Sequence, residues 1–195
     1  MYNWAHQIAQ ALLYMHTRIN PIVHCDIKPG NMLLSGDGLI IKLTDFGEAS
    51  YVQKLQKRKP QFKGTIAYMS PEIISLKVKD QQQNSSTVQI DYRKNDVYSW
   101  GKSFWCCFYR KKPFTNEFNC RDHEDLNRKK QEPLKFPNKN LSEFEMILSQ
   151  SIENDPEKRL NISDIEKELD RLLEFQKEPD KIIHENVHGK LIFYD

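Results

Sequence analysis

The run His24-Cys25-Asp26-Ile27-Lys28-Pro29-Gly30-Asn31 places a carboxylate, an ammonium group and a carboxamide within six residues. Phosphoryl transfer needs that set. Asp26 can accept the proton of an attacking hydroxyl and hold it in line, Lys28 can neutralise the transferring phosphate, and Asn31 can offer a hard oxygen to magnesium. Further along, Asp45-Phe46-Gly47 brings a second carboxylate. Asp45 can bridge a metal ion to nucleotide phosphates, and Gly47 lets the backbone turn sharply. Taken singly, an aspartate in a loop is usually a turn former, so the weight lies in the combination.

The surrounding pattern must supply elements that hold these groups in place. Trp4, Ile8, Ala11, Leu12 and Met15 recur at helical spacing before Asn20-Pro21, which predicts an amphipathic helix over 3–18. Short β-like runs follow at Ile22-Val23, Met32-Leu34 and Leu39-Leu43, the last two joined by a Ser35-Gly36-Asp37-Gly38 turn. Residues 96–110 are apolar on every side, so that helix belongs inside the molecule. Two more helices are predicted from Leu141 to Ile152 and from Ile162 to Leu173, with Ser163-x-x-Glu166 resembling a capping box. The polar stretch within 77–95, Gln81 to Ser86 above all, reads as a mobile surface insertion.

Composition narrows the classes. A chain of 195 residues, 38% hydrophobic and 29% charged, suits one globular unit rather than disorder, and it lacks an apolar run of the ~18 residues that a bilayer needs. Lys+Arg 29 against Asp+Glu 27 implies neither nucleic acid nor membrane as a partner. Cys25, Cys106, Cys107 and Cys120 form no C-x-x-C pair, and reduced, buried thiols are expected. With no basic and apolar leader pattern, the expected location is the cytoplasm, with the nucleus as the alternative.

The loop around Asp26 and the Asp45-Phe46-Gly47 tripeptide resemble the catalytic loop and metal-binding motif of the eukaryotic protein kinase family. Gly64-Thr65-Ile66-Ala67-Tyr68-Met69-Ser70-Pro71-Glu72 is similar to that family's substrate-facing segment, with Ser70 where alanine is usual. Asp96-Val97-Tyr98-Ser99-Trp100-Gly101 is similar to the start of its central buried helix, and Asp155-Pro156-Glu157-Lys158-Arg159 to the loop with its late arginine. The resemblance spans about residues 4–175. It implies an α+β, mainly helical fold, the kinase C-terminal lobe, over 1–175, with a tail over 176–195. It also implies Glu72 paired with Arg159, Asp96 holding the catalytic-loop backbone, ATP and Mg2+ as cofactors, and a protein substrate. Lys28 and Thr65 resemble the serine/threonine class, in which the threonine bridges the catalytic aspartate and lysine. The implied site is then Asp26, Lys28 and Thr65 for catalysis, Lys28, Asn31, Leu33 and Asp45 for the nucleotide, with Leu33 beneath adenine, and Asn31 and Asp45 for the metal. His24 and Phe46 are expected to pack in the core.

Two departures qualify these expectations. No glycine-rich loop, V-A-I-K lysine or hinge accompanies the motifs, so an N-terminal kinase lobe is expected from upstream sequence, and the chain by itself is expected to bind ATP weakly and to lack activity. A noncatalytic binding module is the rival reading. Second, Cys25 stands where an arginine usually receives an activation-segment phosphate, and Val52 to Gly64 holds no Ser, Thr or Tyr. Packing and the Glu72 to Arg159 ion pair are expected to order that segment instead. The basic cluster of Lys54, Lys57, Arg58, Lys59 and Lys63 is either a solvated loop or an attraction for acidic substrates.

Overall fold

Apolar side chains at Ala5, Ile8, Ala9, Leu12 and Met15 share one face of helix α1 (Tyr2–His16), and that face is buried. The structure, a computed structural model, describes residues 1–56, 64–75, 90–111, 134–137 and 139–177. After α1 come strand β1 (Ile22–Val23), β2 (Met32–Leu34), β3 (Ile41–Leu43), β4 (Ser50–Tyr51) and a short helix α2 (Val52–Gln56). Helices α3 (Tyr92–Tyr109), α4 (Glu143–Ser151) and α5 (Ile162–Lys177) complete the numbered elements, and residues 71–75 are also helical. The described residues are therefore mainly helical, as the sequence predicts.

The strands form two small antiparallel sheets. β1 pairs with β4 through Ile22 with Tyr51 and Val23 with Ser50; β2 pairs with β3 through Met32 with Leu43, Leu33 with Lys42 and Leu34 with Ile41. The predicted strand from Leu39 starts two residues later. Leu39 and Ile40 belong to the turn and are at least half exposed, because Asp37 accepts a bond from the Leu39 N–H and Ser35 one from the Ile40 N–H.

Helix α3 is the central buried element. Asp91 caps its start by accepting a hydrogen bond from the Arg93 N–H, and Arg110 ends it in the left-handed region. Trp100 is fully buried and donates from Nε1 to the carbonyl of Ala5, which ties α3 to α1. At Gly101 a Cβ would sit 2.7 Å from the Ser151 Cβ, so only glycine allows this approach of α3 to α4. The start of α3 corrects the reading of 77–95 as an insertion: Tyr92 and Asn95 are buried in the first turns of the helix. Residues 76–89 lie outside the described set, as do Cys120 and residues 178–195 of the expected tail.

The capping box also sits elsewhere than predicted. Ser163 lies inside α5, and Glu166 there accepts from Gln10 and meets His6 of α1 at 3.2 Å. The box is Ser142 with Glu145, at the start of α4, where side chain and backbone bond reciprocally.

Two apolar cores result. The larger joins α1, α3, α4 and α5; the smaller gathers Val23, Cys25, Val52, Leu55, Met69, Ile73, Ile74 and Tyr92 beneath the Asp26 loop. Cys25 and Cys106 are buried thiols, and burial pushes Cys106 up to about 12, well away from thiolate reactivity. Among the described residues, no helix is long and apolar enough to cross a membrane.

Candidate active site

The loop after β1 is held from below by one carboxylate. Asp96, fully buried in α3, accepts from the N–H of His24 at 2.8 Å and of Cys25 at 2.9 Å, and meets His16 Nε2 at 3.0 Å. Cys25 adopts φ 66, a left-handed conformation that a non-glycine residue keeps only when its surroundings enforce it. The two bonds to Asp96 and the burial of the Cys25 side chain in the smaller core do so.

This turn brings Asp26 to face the segment from Gly64. The Asp26 carboxylate accepts from Lys28 Nζ at 2.7 Å, from the Thr65 N–H at 2.7 Å and from Asn31 Nδ2 at 3.1 Å. Lys28 Nζ donates also to Thr65 Oγ1, at 2.8 Å, closing a triangle of Asp26, Lys28 and Thr65. Gly64, with φ +93, is required here, because a Cβ would collide with the carbonyl oxygen of Cys25. Burial raises the Asp26 pKa, but the hydrogen bonds from Lys28 and Thr65 and the lysine charge outweigh it, leaving the carboxyl below its ordinary value and ionised at neutral pH.

Asn31 and Asp45 sit at the two ends of the β2–β3 hairpin. Asn31 gives Nδ2 to the Asp26 carbonyl at 2.8 Å as well as to its carboxylate, which leaves Oδ1 as the amide's acceptor. Its backbone carbonyl receives the Thr44 N–H at 2.9 Å, and the Thr44 carbonyl receives His24 Nε2 at 3.1 Å. His24 Nδ1 in turn accepts the Asp26 N–H at 3.3 Å, so the ring's proton is on Nε2. Asp45 follows in the left-handed region, φ 61, and is exposed, its Oδ1 taking the Gly47 N–H at 3.4 Å.

Phe46 departs from the expectation of core packing. It rests edge-on against the buried His24, ring centroids 5.0 Å apart, yet is 54% exposed, so that contact covers only part of the ring. Leu33, on β2, is 57% exposed. The Glu72 to Arg159 pair forms as a fork, at 2.7 and 3.0 Å, with the guanidinium buried and also donating to the carbonyls of Lys94 and Glu153. Val52 and Leu55 of α2 pack with Cys25 in the smaller core, so apolar contact holds the start of the activation segment. Among the basic cluster, only Lys54 falls in the described residues, and there it is exposed; Lys57 to Lys63 lie outside them.

Sequence reasoning missed Asn95 and His16. Asn95 Oδ1 accepts from both the N–H and hydroxyl of Ser70, at 3.0 Å each, which accounts for serine at a position where alanine is usual. His16, at the end of α1, gave only its place one helical turn beyond Leu12 as a signal.

The family model described as the protein kinase domain matches residues 1–169. The chain belongs to the protein kinase family. It is 31% identical over 172 residues to a putative mitogen-activated protein kinase kinase kinase 7-like protein of Drosophila melanogaster, covering 85% of this chain and 40% of that one. It is 34% identical over 113 residues to mitogen-activated protein kinase kinase kinase 7 of Homo sapiens, covering 57% of this chain and 16% of that protein. The kinase chain thus spans less than half the length of these curated relatives. The match takes in α1 through α4, the Asp26 loop, the segment from Gly64 to Glu72 and the first half of α5.

Proposed function

We propose that this chain is the C-terminal lobe of a protein serine/threonine kinase that transfers the γ-phosphoryl group of ATP to hydroxyls of protein substrates. The observation that carries the reading is the triangle of Asp26, Lys28 and Thr65, a carboxylate and an ammonium group locked together at 2.7 Å by a segment that enters from elsewhere in the chain. A loose transition state asks for positioning more than for strong covalent chemistry. An Asp26 carboxyl with a lowered pKa suits that task, since it stays ionised to orient the substrate hydroxyl and takes its proton late. Lys28 has three donor hydrogens and uses two on Asp26 and Thr65, so one is available to a phosphate oxygen. The serine/threonine preference rests on Thr65 reaching Lys28.

The donor set fits magnesium. Asn31 Oδ1 and the exposed Asp45 carboxylate offer two hard oxygens. That matches the habit of Mg2+, which takes one or two protein oxygens and completes its shell with water and phosphate. When bound, the ion supplies charge neutralisation on the phosphates. The exposed Leu33 offers an apolar rest for adenine, and an upstream lobe is proposed to close the nucleotide site from the other side.

The test is phosphorylation of mixed-sequence peptides by the protein carrying its upstream lobe, with radiolabelled ATP and magnesium. Phosphoserine and phosphothreonine are expected, and Asp26→Asn should lower turnover by about 10²- to 10⁴-fold while the fold persists. Label on tyrosine alone, or activity untouched by the substitution, would overturn the reading.

A further inference from the structure

Asn31 precedes β2 and Asp45 follows shortly after β3, so the spacing of the two proposed metal donors depends on the geometry of one hairpin. That hairpin is slight. Each strand has three residues, among the described residues the pair has no third strand, and an isolated two-stranded hairpin is marginal in water. Its inner edge is spoken for by β2: Ser35 donates to the Ile40 carbonyl and Thr44 to the Asn31 carbonyl. In an antiparallel ladder the backbone groups alternate in direction, so the Leu39 carbonyl and the Ile41 N–H fall on the outer edge.

Both outer groups are taken by one side chain of α1. Gln7 Nε2 donates to the Leu39 carbonyl at 2.9 Å, and Gln7 Oε1 accepts the Ile41 N–H at 2.9 Å. The carboxamide thus serves this edge as a peptide group of a neighbouring strand would. One turn earlier on the same helix face, Trp4 Nε1 donates to the Gly38 carbonyl at 2.8 Å. The helix that supplies these bonds is anchored through its buried face to α3 and α5. A slip of β3 along β2 would carry Thr44 and Asp45 with it and change their distance from Asn31.

We propose that Gln7 is a positioning residue for the metal pair, its carboxamide fixing the outer edge of β3 so that Asn31 and Asp45 are held at a common site. This rests on the proposed role of those two residues as magnesium donors. Gln7 itself touches neither metal nor nucleotide. Its contribution is to the register of the strand that delivers Asp45, which distinguishes it from a residue that only adds stability.

The experiment is a manganese titration of the 195-residue chain followed by paramagnetic broadening of the Asn31 side-chain amide and the Asp45 N–H, since manganese takes the same oxygen donors and broadening reports weak binding. Gln7→Met keeps length and removes both bonds; Gln7→Glu keeps the acceptor for Ile41 alone. Gln10→Met serves as the control, as Gln10 is on the same helix but reaches Glu166 instead of the hairpin. The manganese concentration for half-maximal broadening should rise about three- to tenfold in Gln7→Met, the scale of ordinary hydrogen bonds holding a geometry. It should rise less in Gln7→Glu and stay unchanged in Gln10→Met.

Broadening in the wild type with an unchanged midpoint in Gln7→Met would overturn the positioning role and leave the proposed function standing. An equal rise in Gln10→Met would overturn it too, by showing a general loosening of α1. No broadening at Asn31 or Asp45 in the wild type would remove the metal pair and this role with it, while the peptide phosphorylation assay judges the activity separately. If Gln7→Met does not fold, Gln7→Glu decides by the same midpoint.

Discussion

The two arms of the candidate site are built in opposite ways. The Asp26 arm stands on a buried carboxylate, Asp96, that satisfies two backbone N–H groups and meets an imidazole, above a core that includes Cys25 and Val52. The Asp45 arm hangs from a hairpin of two three-residue strands, with Leu33, Leu34 and the nearby Phe46 about half exposed, steadied by side chains of α1. The difference teaches where preorganisation is concentrated. The group proposed to meet the substrate hydroxyl is fixed by burial, whereas the group proposed to meet metal and phosphate is fixed by a few hydrogen bonds at the surface.

The sharpest way to break this contrast is to remove the buried support. Asp96→Ala leaves two backbone N–H groups and His16 without their acceptor, and chemical denaturation should show a loss of about 3 to 5 kcal/mol. A loss under about 1 kcal/mol would mean that the Asp26 loop holds itself. A smaller effect comes from acid. The folded-state pKa of Asp26 is lowered from 3.8, so its ionised form stabilises the fold fully above the unfolded value. That contribution fades as pH falls from about 3.8 through the lower folded value. Compared with wild type, Asp26→Asn should therefore show a flatter dependence of unfolding free energy on pH in that acid window, and parallel curves would refute the assignment. The smallest effect is on the other arm. Leu33→Ser should change stability by no more than about 0.5 kcal/mol, as for an exposed position, and a larger loss by thermal melting would show that the hairpin is better buried than its exposure indicates.

Much of this was legible in the sequence. The helical periodicity of α1 and the all-round apolar α3 could be read from residue types and spacing, and the Glu72 to Arg159 pair was implied by the resemblance that the ordered motifs carry. Asp96 beneath the catalytic loop was implied by resemblance and appears with both oxygens engaged. What escaped has a common physical form. Gln7, His16 and Asn95 are polar side chains that bond to groups far away in the chain, and such bonds leave no period in the sequence. The first turns of α3 were read as part of an insertion because Tyr92-Arg93-Lys94-Asn95 looks polar, yet Asn95 is buried with both Ser70 donors on its oxygen. The capping box failed for a related reason: Ser163-x-x-Glu166 and Ser142-x-x-Glu145 are equal as patterns, and tertiary contacts to His6 and Gln10 draw Glu166 away.

The ring of His24 gives the contrast between the arms a mechanical sense. Its Nδ1 takes the N–H of Asp26 while its Nε2 gives to the carbonyl of Thr44, immediately before Asp45. One imidazole is thus a pin through both arms, the buried loop on one side and the lightly held hairpin on the other. A displacement of Asp45 that carries Thr44 along must either pull that pin or twist it. If it twists, the strain would arrive at the backbone of Asp26, the residue proposed to orient the substrate hydroxyl, so the two proposed halves of the site share a single aromatic ring.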